Sequence, residues 1–340
     1  MPPTAAHSPC HADAVRIVSP RGIAPLPGSD TALGQRDEGP GTVTAAPFDG
    51  SVAVAPRSRL GDYATLCKVR LNLLVLITTA VGYKLAASAS ASWVGFVHVL
   101  IGTGLTAAAS AVLNQWMEVD RDRLMPRTRN RPLPAGRVTT HEALALGATL
   151  SVAGLSYLWL FTPTATFLLG LATLLSYLVV YTPLKTRSTL NTLVGAVPGA
   201  MPPVMGYTAA GGGLDAVAAA LFGILFFWQI PHFLAIATLY REDYRVGGYR
   251  MLPCDDPDLL ATARQVVLHC LLLVAVSLLP AVLGVAGPVY LVAATLLGTL
   301  FLAAAVAFAW HRTRRDARTL FFASIAYLPL LLVALVLGSN

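Results

Sequence analysis

The sequence has 340 residues, of which 55% are hydrophobic and only 12% are charged. This composition excludes an ordinary soluble domain and indicates a protein that crosses the membrane several times. The formal net charge is +7, but the basic residues lie between apolar segments, so the charge is explained by loop composition and we predict no nucleic-acid binding. The four cysteines are scattered and show neither metal-ligand spacing nor a disulfide framework.

The first predicted segment comprises residues 1–62. It is rich in Pro, Gly, Ala, Ser and Asp and contains no sustained apolar run, which is typical of a chain that cannot bury enough surface to fold. We therefore expect a disordered cytoplasmic tail, followed by a membrane domain over residues 63–340.

Nine apolar segments follow the tail, each about long enough to cross the hydrocarbon core of a bilayer. They lie at residues 67–87, 93–117, 141–161, 164–183, 190–208, 215–239, 262–284, 288–310 and 319–338. The predicted fold is all-α: nine transmembrane helices surround a central cavity that opens to the cytoplasmic side, where the long polar loops lie.

The basic residues predict the orientation of these helices. Of the 24 Lys and Arg residues, all except Lys84 lie before the first segment, at its start, or in the even-numbered connections. The positive-inside rule then places the N-terminus in the cytoplasm and the C-terminus outside. We expect a bacterial-type inner membrane as the location.

The first stretch that indicates chemistry follows the second apolar segment. Asn114, Glu118 and Asp122 are spaced i, i+4 and i+8, which stacks them on one face of a helix. Such hard oxygen ligands suit Mg²⁺ that carries a substrate phosphate. Arg127 and Arg131 come next, and guanidinium groups match phosphate oxygens. The alternative is a solvated helix end with ordinary inside-positive arginines.

The second stretch is a basic turn before a helix rich in glycine and proline. Lys185 and Arg187 can approach a diphosphate from the side opposite the first stretch, and Asn191 begins the helix. The alternative is a basic turn that precedes a kinked helix.

The third stretch contains a histidine inside the sixth apolar segment. His232 and Asp243 are eleven residues apart, close to three helical turns, so we expect them to share a face. An intramembrane histidine is a functional candidate, although a hydrogen-bonded core histidine explains it equally. Asp243 could supply a carboxylate to a second Mg²⁺.

The three stretches together resemble those of the UbiA-type intramembrane prenyltransferases and, within them, the protohaem IX farnesyltransferases. The resemblance covers residues 60–340 and includes the Tyr181-Thr-Pro-Leu-Lys185 and Trp228-Gln-Ile-Pro-His232 sequences. Two positions depart from the broad superfamily: position 118 is Glu where Asp is usual, and Gly247 stands where a second Asp often lies. The haem-farnesylating branch shares both departures.

The resemblance implies that farnesyl diphosphate donates its farnesyl chain to the vinyl group of haem b. Mg²⁺ would be the cofactor, held by Glu118, Asp122 and Asp243, with Asn114 as a further catalytic residue. Diphosphate would be bound by Arg127, Arg131, Lys185, Arg187 and Asn191. His232 and Tyr181 would contact haem. A downstream haem A synthase or oxidase assembly factor is an expected partner, and the lipid bilayer is the environment.

Two other functions remain open at this point. A prenyltransferase of the same family could act on a quinone precursor or another aromatic acceptor. A polytopic transporter could line its substrate path with acids and arginines. The acids here cluster at the ends of the second and sixth segments and are not spread through the bilayer, which favours an enzyme.

Overall fold

The computed structural model describes residues 58–86 and 92–339, and it is helical almost throughout, with no named strand in those residues. The predicted tail lies outside the described residues except for positions 58–62. The first helix begins at Arg59, within the stretch assigned to the tail, where Ser58 caps it by accepting a hydrogen bond from the Gly61 N–H.

Thirteen α-helices occur in the described residues. They are α1 (Arg59–Leu66), α2 (Val69–Ala86), α3 (Trp93–Leu124), α4 (Thr140–Phe161), α5 (Thr164–Leu175), α6 (Thr182–Leu184), α7 (Asn191–Ala209), α8 (Ala216–Leu239), α9 (Arg241–Val246), α10 (Leu252–Asp255), α11 (Leu260–Val282), α12 (Pro288–His311) and α13 (Arg314–Leu337). A π-helical turn, Ser176–Tyr181, joins α5 to α6 in one continuous rod.

Eight helices in the described part of the chain are long and apolar enough to cross a membrane, counting Thr164–Leu184 as one. The protein is an integral membrane protein. The predicted fifth span, 190–208, forms helix α7, which is not among the eight because its prolines, glycines and polar residues make it less apolar. A total of nine spans therefore remains a prediction.

Helix α7 is packed against its neighbours at unusually short range. A Cβ added at Gly206 would lie 1.8 Å from the Thr79 carbonyl oxygen, and one added at Gly82 would lie 1.9 Å from the Pro203 carbonyl oxygen. The backbones of α2 and α7 thus come into contact at Gly82 and at Gly206, as small residues permit between membrane helices. This close packing fixes one wall of the cavity described below.

Helix α1 is tied to the rest of the bundle by buried polar contacts. Arg137 Nε donates to Asp62 Oδ1 at 3.0 Å, and Gln115 Nε2 donates to the Leu66 carbonyl at 2.7 Å. Since Asp62 and Gln115 are both buried, these contacts replace their lost hydration. They position the start of α2 beside α3.

Candidate active site

A cavity of about 420 Å³ lies between α2, α3, the rod Thr164–Leu184, α7 and α8. Its charged side chains lie at the end where the segments 125–139, 185–190 and 240–259 meet, which we call the charged end. Its other walls are built largely from apolar and small residues of the helices. Such a volume, with few polar groups at one place, is typical of a small-molecule site.

The residues of the first stretch line this cavity together. Helix α3 runs unbroken to Leu124, so Asn114, Glu118 and Asp122 share one face, as their spacing predicts. All three are buried, with 2%, 7% and 1% of their surface exposed. Asn114 Nδ2 donates to Thr182 Oγ1 at 3.1 Å, which connects α3 to the rod opposite.

Glu118 is paired with Lys185 across the cavity. Lys185 Nζ lies 2.7 Å from Glu118 Oε1 and 4.5 Å from the centre of the Tyr181 ring. Burial alone would lower the pKa of the Lys185 ammonium, but its interactions with Tyr181 and Glu118 outweigh burial and raise the pKa well above its ordinary value. The site therefore holds a permanent buried cation beside a carboxylate.

The Tyr181 ring can lie in the cavity lining because the residue of α7 that faces it, Gly195, has no side chain. The π-helical turn ends at Tyr181, and a Cβ added at Gly195 of α7 would lie 2.4 Å from the Tyr181 ring. Single π-helical turns are frequent at functional sites because they shift the register of one side chain. Here the shift places Tyr181 under the Lys185 ammonium.

Asp122 forms the second ion pair of the charged end. Its Oδ2 accepts from Arg131 at 2.8 Å, and its backbone carbonyl accepts from Thr128 Oγ1 at 2.9 Å. The segment after α3 therefore folds back so that Arg131 lies beside a carboxylate nine residues earlier. Both partners of this pair line the cavity.

Arg127 supplies a third cation to the lining. Its guanidinium lies 4.9 Å from the Tyr240 ring centre and 5.3 Å from that of Tyr244, and it donates to the Tyr244 hydroxyl at 3.3 Å. Asp243 Oδ2 is 4.0 Å from Arg127 Nε. Arg127 is thereby held against the segment that follows α8.

Asp243 itself is not among the cavity-lining residues, and its role as a metal ligand remains a prediction. The prediction assumed one continuous helix from His232 to Asp243. Helix α8 ends at Leu239, and Tyr240 leaves the helical conformation before α9 begins, so the eleven-residue spacing does not carry over. Asp243 contacts the cavity lining through Arg127.

Arg187 and Asn191 are also absent from the cavity lining, and their diphosphate contacts remain predictions. Asn191 is fully buried, and its Nδ2 donates to the carbonyls of Ser188 at 2.6 Å and Arg250 at 2.7 Å. The Arg250 N–H donates in turn to the Lys185 carbonyl at 2.8 Å. Asn191 thus holds the segment of Lys185 in place.

His232 is separated from the cavity lining as well. Its Nδ1 lies 2.7 Å from Ser324 Oγ on α13, and its ring is stacked between Trp228 at 4.9 Å and Phe321 at 5.2 Å. The structural hydrogen bond left open by the sequence is therefore formed. Its neighbour Phe233 lines the cavity instead.

The tautomer of His232 follows from its partner. Ser324 Oγ donates its only proton to the Phe321 carbonyl at 2.6 Å, so it accepts from His232 Nδ1. The Nε2 atom then carries the free lone pair of a neutral imidazole. A ring nitrogen fixed in this way is also how proteins orient a metal-binding histidine.

Tyr249 and Lys68 line the cavity and were not anticipated as site residues. Tyr249 is buried, and its hydroxyl has no hydrogen-bond partner among the described residues. Lys68 joins α1 to α2 with a φ of +47°, a left-handed conformation that is uncommon for a residue with a side chain. Neither residue belongs to a periodic pattern, so the sequence carried no signal beyond the glycine pair before Tyr249.

The oxygen atoms at the charged end fit a metal that arrives with its substrate. No cluster of three or more His, Cys, Asp or Glu side chains suited to a metal occurs in residues 58–86 and 92–339. The second carboxylate oxygens of Glu118 and Asp122 and the Asn114 Oδ1 atom have no protein donor in that part of the chain. Mg²⁺ usually takes only one or two carboxylates plus substrate phosphates and water, so this donor set suits it.

The fold and the cavity define an integral membrane protein with a buried site lined by charge pairs. Residues 75–327 match the UbiA prenyltransferase family, and the chain belongs to that family. It is 47% identical over 279 residues to the protoheme IX farnesyltransferase of Solibacter usitatus, an alignment that covers 79% of this chain and 96% of the relative.

Solved structures support the same fold. A digeranylgeranylglyceryl phosphate synthase superposes with a TM-score of 0.71 at 19% identity, covering 82% of this chain and 98% of the other. A UbiA homologue from Archaeoglobus fulgidus, solved with GPP and Mg²⁺ bound, superposes with a TM-score of 0.57 at 16% identity, covering 81% of this chain and 99% of the other.

Proposed function

We propose that this prenyltransferase transfers the farnesyl group of farnesyl diphosphate to the vinyl group of haem b. Water adds a hydroxyl group in the same reaction, and diphosphate leaves. The observation that carries the donor half is the charged end, where two buried carboxylates meet the cationic groups of Lys185, Arg131 and Arg127 in one cavity. The haem acceptor is proposed from the relatives of this chain, which are named protoheme IX farnesyltransferase. Their alignments cover most of this chain and most of each relative.

The first task of the site is to hold the diphosphate. Breaking an allylic C–O bond leaves negative charge on the departing group, and a preorganised set of cations stabilises that charge. Lys185, Arg131 and Arg127 all line the cavity and are already oriented by Glu118, Asp122 and Tyr244. They therefore require little rearrangement when the donor binds.

Glu118 and Asp122, with Asn114, would hold Mg²⁺ between the protein and the diphosphate. When bound, the ion neutralises charge that builds on the leaving group. Each carboxylate is also balanced by its own cation in the absence of ligand. Without those cations, two buried carboxylates four residues apart would repel each other.

The apolar walls serve the second half of the reaction. The cavity continues from the charged end between α3, α5, α7 and α8, where Met205, Phe233 and Pro202 line it. Such walls accept an isoprenoid chain and exclude water from the allylic carbon until the acceptor is in place. A porphyrin is also largely apolar, which suits an approach from the lipid phase.

His232 is a weaker candidate for haem contact, and we propose it only through its free Nε2. Its Nδ1 bond to Ser324 leaves Nε2 as the atom that could reach haem iron. Tyr181 remains a candidate for acceptor contact because its ring lines the cavity.

Transfer of a radiolabelled farnesyl group tests the proposal. Purified protein in vesicles is given labelled farnesyl diphosphate and Mg²⁺, with either haem b or 4-hydroxybenzoate as acceptor. We expect label in the porphyrin fraction only. Label on the benzoate would indicate a quinone-type prenyltransferase, and label carried unchanged into the vesicle lumen would indicate a transporter.

We also propose that the charged end faces the cytoplasm of a bacterial-type inner membrane. The support is the distribution of Lys and Arg, which favours that side for the loops that follow α3 and α8. A topology reporter fused after Asn340 should read as external. A cytoplasmic signal there would contradict the nine-span orientation.

A further inference from the structure

We propose that the Tyr249 phenol donates a hydrogen bond to the diphosphate of the bound donor and so positions it in the cavity. This inference rests on the proposed function, since it requires a diphosphate ester at the charged end. The role is one of binding and positioning.

The first support is that the Tyr249 hydroxyl is buried without a partner. Five tyrosines are buried in the described part of the chain, and four of them are hydrogen-bonded through their hydroxyls: Tyr83 to the Ser92 carbonyl, Tyr207 to Asp215, Tyr290 to the Ser277 carbonyl and Tyr327 to Ser277 Oγ. Tyr249 is the exception. Buried polar groups are almost always satisfied, so an orphaned donor in a cavity wall indicates a ligand that completes it.

The second support is the set of charged residues around the Tyr249 side chain. It lines the same cavity as Glu118, Asp122 and Lys185, and the Arg121 guanidinium lies 5.8 Å from its ring centre. Burial raises the pKa of the Tyr249 phenol, and the nearby Glu118 carboxylate raises it further. The hydroxyl therefore keeps its proton at neutral pH and acts as a donor, which is what a phosphate oxygen accepts.

The third support is that the backbone is built to place this side chain. Gly248 has a φ of +69°, which favours glycine, and the Tyr249 N–H donates to the Tyr244 carbonyl at 2.9 Å. Arg121 Nη1 donates to the Gly247 carbonyl at 3.2 Å from the neighbouring helix α3. The turn is thus held from two sides, and the phenol is fixed before a ligand arrives.

A pair of Tyr→Phe variants tests the proposal in the full-length protein. Tyr249→Phe removes a hydroxyl that has no hydrogen-bond partner among the described residues. Tyr290→Phe is the matched control, because its buried hydroxyl already bonds to Ser277, away from the cavity. The probe is inorganic pyrophosphate with Mg²⁺, titrated calorimetrically into each purified variant, and the unfolding midpoint is recorded without ligand.

We expect Tyr249→Phe to weaken pyrophosphate binding about tenfold or more, as loss of a hydrogen bond to a charged group does, while its unfolding midpoint stays the same or rises. Tyr290→Phe should show the opposite pattern, a lower midpoint with unchanged affinity. Unchanged affinity in Tyr249→Phe would overturn the proposal, and so would a loss of affinity accompanied by a lower midpoint.

The role of Tyr249 and the proposed function can be refuted separately by these experiments. If wild-type protein binds pyrophosphate and Tyr249→Phe binds it equally well, the role of Tyr249 is wrong and the donor site stands. If Tyr249→Phe binds less tightly and haem b is nevertheless not farnesylated, the acceptor is wrong and the role of Tyr249 stands.

Discussion

The two residues of the Glu118–Lys185 ion pair are expected to show energetic coupling in the stability of the protein. Both side chains are also expected to be required for farnesyl transfer. The two charged atoms are 2.7 Å apart, and the side chains are only 9% and 13% exposed. At an effective dielectric constant of about 20, their attraction is about 6 kcal/mol before desolvation is counted. Removing one partner of a buried pair typically costs about 3–5 kcal/mol, because the other charge is left uncompensated.

A double-mutant cycle with near-isosteric neutral replacements measures this coupling. Glu118→Gln and Lys185→Met should each lower the free energy of unfolding by about 3–5 kcal/mol. The double variant leaves no buried charge unpaired. It should therefore be more stable than the sum of the single effects predicts, by about 2–3 kcal/mol. Chemical unfolding in mixed micelles, followed by circular dichroism, supplies the free energies.

Function should not recover with stability. The double variant lacks both the cation proposed to hold the diphosphate and the carboxylate proposed to face the metal, so farnesyl transfer should stay lost. Additive single effects would show that the pair does not form in the membrane protein. Transfer at the wild-type rate by Lys185→Met would remove Lys185 from the diphosphate site.

Three further changes have expected outcomes that the structure defines. Asp122→Asn should lower the rate of farnesyl transfer at least about a hundredfold at saturating donor, since it removes a carboxylate proposed to hold Mg²⁺ at the leaving group. Gly206→Ala should destabilise the fold by about 1–3 kcal/mol or more, because its Cβ would lie 1.8 Å from the Thr79 carbonyl oxygen and would force α2 from α7. Ser324→Ala should free the His232 ring, and if Nε2 contacts haem it should weaken haem binding and shift the haem absorption spectrum, with pyrophosphate affinity unchanged.

Each of these expectations has a result that would contradict it. Near wild-type turnover by Asp122→Asn with Mg²⁺ limiting would exclude Asp122 as a metal ligand. An unfolding free energy of Gly206→Ala equal to that of wild type would show that α2 and α7 are not in backbone contact. Unaltered haem binding and spectrum in a well-folded Ser324→Ala protein would leave His232 with a structural role only.

The part of the site that the sequence predicts is the part carried by one continuous helix. Asn114, Glu118 and Asp122 lie on one face because α3 continues past the apolar region to Leu124, and the helical repeat then fixes their relative positions. Arg131 and Lys185 were predicted near these acids as groups that bind the same diphosphate, and the structure places each of them in an ion pair with one of the acids.

The sequence does not predict the positions of residues that follow a helix break, lie on a particular face of an apolar helix, or lie in an irregular segment. Asp243 is displaced because α8 ends before it, and no proline or glycine marks that end. His232 faces α13 and not the cavity, since a helix that is apolar all round does not reveal which neighbour each face meets. Tyr249 lies in an irregular segment, where neither helical nor strand periodicity indicates burial.

The fate of the water oxygen in the transfer reaction is the most direct test of the proposed farnesylation of haem b. Purified protein is incubated with farnesyl diphosphate, Mg²⁺ and haem b in ¹⁸O-labelled water, and the recovered porphyrin is analysed by mass spectrometry. We expect a porphyrin heavier by one farnesyl group and one hydroxyl group, with the ¹⁸O label in the new hydroxyl group. Unmodified haem together with ¹⁸O-labelled farnesol would show that the cavity only hydrolyses the diphosphate ester, and it would contradict the proposed transfer.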